Sequence, residues 1–156
     1  MEAARHALLK HEASVKSIGT LYLLGGIFLV VLGLSSFSTA VYTRNGGGIL
    51  IGALLSAFGA LELWLWSGLR KLQRKVRVPA MILAGIGLIG FPVGTIISAY
   101  ILYLLGSQKG VQVFSDEYAQ VIAATPHIKY KLSIVTKVVL VILVVLVAVG
   151  VVASLL

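Results

Sequence analysis

Four long apolar stretches constrain this chain more than any other feature. They run from Ile18 to Val41, Ile49 to Leu69, Ala80 to Leu105 and Ile134 to Leu156. A helix needs about 20 apolar residues to cross the hydrocarbon of a bilayer, where the backbone must satisfy its own hydrogen bonds. Each stretch meets that length. The expected fold class is all-α: an integral membrane bundle of four transmembrane helices, forming one domain over residues 1–156, with spans at about 18–41, 49–69, 80–105 and 134–156. The fourth stretch is rich in Val and Ile, which favour strands in water. A membrane barrel needs short alternating segments, however, and this run is uninterrupted.

Composition agrees with lipid as the solvent. Hydrophobic residues make up 59% of the chain and charged ones 12%, against about 25% charged in ordinary soluble domains. A chain of 156 residues is too short to hide that much apolar surface in a water-soluble core. Cysteine is absent, which excludes disulfides, thiolate metal sites and cysteine nucleophiles. No cleavable signal peptide is expected, because the first apolar run is too long for a signal core and lacks a small-residue cleavage site. The net charge of +8 does not point to nucleic acid. The bases flank apolar runs, where lipid headgroups and the positive-inside rule account for them.

Those bases set the expected orientation. With the amino terminus in the cytoplasm of a bacterium, Arg5, Lys10 and Lys16 join Arg70, Lys71, Arg74, Lys75 and Arg77 inside the inner membrane. Arg44, Lys109, Lys129, Lys131 and Lys137 then lie outside, giving eight against five. A re-entrant hairpin around Gly90-Phe91-Pro92 would raise the ratio to twelve against one. A re-entrant loop survives only when buried in protein or beside water, so a plain third crossing is the expectation. The first connection carries a turn signal at Asn45-Gly46, and Pro79 is suited to starting the third helix.

Small residues recur at helical spacing. Gly19, Gly26 and Gly33 repeat every seven residues; Gly48, Gly52, Ser56 and Ala60 every four; Gly90, Gly94 and Ser98 every four. Such rows lie along one helix face and let another backbone approach, within the bundle or between copies of the chain. Glu62 is the one acid inside an expected span. Intramembrane carboxylates often mark ion paths. Trp64 and Trp66 beside it suit the membrane interface, so the expected role is structural: hydrated near the headgroups, or paired with a base.

Between spans three and four, residues 116–125 read as a short interfacial helix. Ser115 is its N-cap, Asp116 and Glu117 suit the first turn, and Tyr118, Val121, Ile122 and Thr125 form one mainly apolar stripe before Pro126. His6 and His11 lie on different helix faces, and with His127 they make no metal site. Glu12 and Lys16 read as a surface i,i+4 pair. No phosphate loop, nucleophile elbow or zincin motif appears, so neither enzymatic activity nor a cofactor is expected.

The stretches GFPVGTIISAYILYLL (residues 90–105) and VFSDEYAQVIAATPHIKYK (113–131), with EASVKSIGTLYLLGG (12–26), resemble a signature of small, uncharacterised bacterial multispanning membrane proteins. The resemblance implies a helix–loop–helix membrane organisation and carries no activity or site residues. The expected function is therefore a non-enzymatic subunit, in contact with membrane lipids, packing with other membrane proteins or as a homo-oligomer. The alternative is an oligomeric channel or small-solute transporter using Glu62 or the glycine-broken third stretch.

Overall fold

The structure, a computed structural model, describes residues 2–90, 92–128 and 130, together with Val141, Val145, Val149 and Val152. Those four valines are helical and exposed; the rest of the expected fourth span lies outside the described residues. The described residues are helical and contain no strand. They form α1 (Glu2–Tyr42), α2 (Gly46–Arg70), α3 (Arg74–Gly87), α4 (Val93–Gly106), α5 (Gln108–Val113) and α6 (Asp116–Ala124). Among the described residues two helices, α1 and α2, are long and apolar enough to cross a membrane. The chain divides into two compact units, one of Met1–Thr20 and Leu65–Lys131, the other of Leu21–Trp64 and Leu132–Leu156.

Two local stops punctuate the first three helices in the same way. Arg44 follows α1 and Leu72 follows α2, each at φ 53°. In both, the next N–H reaches back to the third-last carbonyl of the helix: Asn45 to Ala40 at 2.9 Å and Gln73 to Gly68 at 2.9 Å. This paired closure satisfies helix-end carbonyls that would otherwise be orphaned. The left-handed residue after α1 is thus Arg44, and Gly46 already belongs to α2. Asn45 contributes differently: its Oδ1 accepts from the Gly48 N–H at 3.2 Å.

In the second unit, α1 and α2 run antiparallel with their backbones almost touching. A Cβ added to Gly33 would sit 2.8 Å from the Gly52 carbonyl oxygen, and one on Gly26 would sit 2.9 Å from that of Gly59. Only absent side chains permit this approach.

The third apolar stretch departs from expectation. It is not one continuous helix over 80–105. Helix starts earlier, at Arg74, carries Pro79 inside rather than at its start, ends at Gly87 and resumes at Val93. Pro92 has no N–H to continue the ladder, and Leu88, Ile89 and Gly90 bond instead to carbonyls three residues back. The halves fold against each other: Arg77 Nε donates to the Leu105 carbonyl at 2.8 Å, and Thr95 Oγ1 to that of Leu88 at 2.7 Å. Contacts joining 77 to 105 and 88 to 95 define an antiparallel hairpin.

Candidate functional site

A buried polar cluster lies in the first unit, built from α1 and α6. Glu12 is 3% exposed and Arg5 5% exposed. Helical spacing of seven puts both on one face of α1. Arg5 Nη1 lies 2.6 Å from Glu12 Oε2, and Arg5 Nη2 donates to Oε1 at 3.3 Å. Lys16 Nζ lies 2.6 Å from Oε1. From α6, Tyr118 Oη donates to Glu12 Oε2 at 2.9 Å, while the Arg5 guanidinium lies 5.6 Å from the Tyr118 ring centroid. Burying charge is costly unless it is paired and hydrogen-bonded. Here both carboxylate oxygens are engaged, although Arg5 Nε is buried without a partner.

This arrangement corrects the reading of Glu12 as a surface residue. Its pair with Lys16 exists, but Glu12 is the hub of a buried network. Tyr118 titrates accordingly. Burial, then the bond to Glu12 and its negative charge, push the phenol up to about 12, against the opposing effect of Arg5. The neutral hydroxyl is the form this site holds.

α6 itself follows its sequence signals. Ser115 Oγ accepts from the Tyr118 N–H at 3.2 Å, and Tyr118 and Thr125 are buried. A second set of polar contacts closes the end of α4. His11 Nε2 lies 2.9 Å from the Leu104 carbonyl; a carbonyl only accepts, so that nitrogen carries the hydrogen. With Arg77 on Leu105, two side chains distant in sequence cap adjacent carbonyls. His6 is exposed, and His127 faces Glu2 at 3.3 Å on the surface. No group of side chains suited to a metal occurs among the described residues.

The small residues divide. Gly26, Gly33, Gly52 and Ser56 line the α1–α2 seam of the second unit. Gly19, in the first, faces Leu69 and Arg70. Gly48 meets the Ala40 methyl, and Gly94 lies against the Gly87 carbonyl. Ser98 is buried beside Gly87, whereas Gly90 at the break is exposed. Ala60 is also exposed; Gly59 takes the seam position instead, packed on Gly26 and Val30. Intervals of four drift by about 40° per step on a helix of 3.6 residues per turn. Extending 52 and 56 by three rather than four would have found Gly59.

Glu62 points into the same seam. Its carboxylate stands over Gly25, where an added Cβ would strike it, and its Oε2 is buried without a hydrogen-bond partner. Among the described residues it forms no ion pair. Comparison with known proteins finds no matching family model, no similar curated protein and no similar solved structure.

Proposed function

We propose that the chain is a non-enzymatic, multi-pass subunit of the bacterial inner membrane, with its amino terminus cytoplasmic, that acts by packing against other membrane proteins or copies of itself. The observation that carries this reading is a second small-residue face on α2. Ala53, Ala57 and Ala60 are all exposed, at spacings of four and three that align them on one side. At about 100° per residue this side lies about 100° around α2 from the Gly52–Ser56–Gly59 seam, one residue on at each position. One small face therefore serves α1, and the other is exposed among the described residues. In lipid, such a face lets a further helix approach closely and gain dispersion contacts that larger side chains would block. The buried cluster supports the same reading: the charged Arg5 and Glu12 and the neutral Tyr118 engage one another and hold α6 to α1.

The test is extraction of the native protein in mild detergent, with mass spectrometry of whatever accompanies it. A defined partner or a homo-oligomer that Ala57→Leu disperses supports the subunit reading. A wild-type chain that travels alone counts against it.

The transport alternative draws on one observation, the unpartnered Oε2 of Glu62 in the α1–α2 seam. Glu62→Gln separates the two readings. A packing subunit assembles and works as before with Gln at this position. Wild-type ion flux into liposomes that vanishes in Glu62→Gln, with assembly unchanged, would establish transport in its place.

A further inference from the structure

Resting on the membrane reading above, we infer that the α3–α4 hairpin enters a single leaflet from one side and returns, its tip covered by lipid acyl chains. Three features along the hairpin carry this.

Length comes first. Each arm has 14 residues, about 21 Å at the helical rise, short of the roughly 30 Å of hydrocarbon. The first six residues of α3, Arg74 to Pro79, include three bases. The remaining eight, Ala80 to Gly87, rise about 12 Å, close to the thickness of one leaflet.

Chemistry changes in step with height. At the tip, Ile89 is 84% exposed and Ile86 and Leu88 are also open. Along the arms Ile82 and Ile96 face outward. Towards the base of α4, Tyr100 and Tyr103 are exposed, the residue type that favours the headgroup boundary. At the base itself Arg74, Lys75 and Lys109 are exposed, matched to anionic headgroups. Aliphatic, aromatic and basic residues thus follow one another as hydrocarbon, interface and headgroup do.

The backbone of the tip is the third feature. Irregular backbone in hydrocarbon is costly when its polar groups lack partners. Here the N–H groups of Leu88, Ile89 and Gly90 bond to Gly85, Ile86 and Gly87. The carbonyls of Gly90 and Pro92 accept from Thr95 and Ile96, and that of Leu88 from the Thr95 hydroxyl. These bonds reduce the need for protein or water at the turn. A hairpin also returns Lys109, just past the end of α4, to the side of Arg74.

The cysteine-free chain allows a direct test in the full-length protein. Single cysteines replace Gln73 and Ser107 and are challenged with an impermeant thiol reagent before and after permeabilisation. Because Ser107 caps α5, Gln108→Cys serves as a second reporter. A fluorophore on Ile89→Cys is then read in phosphatidylcholine–phosphatidylglycerol vesicles. The result expected is labelling of positions 73 and 107 from the same side, whichever side that is, with the fluorophore quenched by nitroxides on acyl chains and not by aqueous iodide. Labelling from opposite sides shows a crossing and overturns the inference. Quenching by iodide places the tip in water, and shielding from both quenchers places it under protein; either overturns it as well. Release of the protein from membranes by alkaline carbonate would instead defeat the membrane reading itself, so the two failures are distinguishable.

Discussion

The α1–α2 seam and the Arg5–Glu12–Tyr118 cluster hold helices together by opposite means. In the seam the contact surface is backbone, and cohesion depends on side chains that are missing: Gly26, Gly33, Gly52 and Gly59. In the cluster it depends on three long polar side chains, two of them charged, brought together across more than a hundred residues of sequence. Dispersion summed over close backbone contact tolerates small adjustments at any one point. A buried ion pair does not, because losing one member strands the other. The same chain thus contains one interface sensitive to added volume and another sensitive to lost charge.

The sharpest way to break that contrast is Glu12→Ala. It leaves Arg5 buried beside an empty site, and uncompensated burial of this kind costs about 3–5 kcal/mol. Unfolding in detergent should show a large loss, partly recovered when Arg5 is replaced by Met as well. Equal instability of the single and double variants would show that Glu12 acts through something other than Arg5.

Gly33→Leu attacks the other interface. Ser56 and Gly52 stand against any side chain there, so the helices must part, at about 3 kcal/mol, the upper end for overpacking. Gly47→Leu is the control, since only the Asn45 side chain lies near its added Cβ. Similar losses for both would remove the seam from the account.

Tyr118→Phe deletes one bond to a carboxylate and sharpens the cluster's description, at about 1.5 kcal/mol. It also has a signature in pH. The phenol titrates near 10 when unfolded and at about 12 when folded, so the folded state holds the proton more tightly. That stabilisation is complete below pH 10 and is lost as pH rises towards 12. Alkaline unfolding scans should show a decline in this window for the wild type, reduced in Tyr118→Phe. Parallel curves would mean that Tyr118 is not held as described.

The two regions also differed in how far they could be read from sequence. Apolar length and glycine spacing are local signals, so α1, α2 and most of the seam were legible. The exception, Ala60 for Gly59, came from holding to a spacing of four where the helix repeats at 3.6. The N-cap at Ser115 was legible for the same local reason. Burial of Glu12 was not, because it depends on Tyr118 arriving from position 118, and nothing within a helical turn of Glu12 signals that. The break in the third stretch lay between these cases. Gly90 and Pro92 marked it, but the folding back is recorded in pairs such as Arg77 with Leu105, which no single stretch contains.

Ala57→Leu should have the smallest effect on folding, within about 0.5 kcal/mol as for other exposed positions, and it bears most directly on what the protein does. The decisive measurement is the intact mass of the particle extracted from native membranes in mild detergent, for the wild type and for Ala57→Leu. Packing as a subunit predicts a wild-type assembly heavier than the 16.5 kDa chain, and a variant that is folded but returns to the mass of one chain. A folded wild type at 16.5 kDa would contradict it.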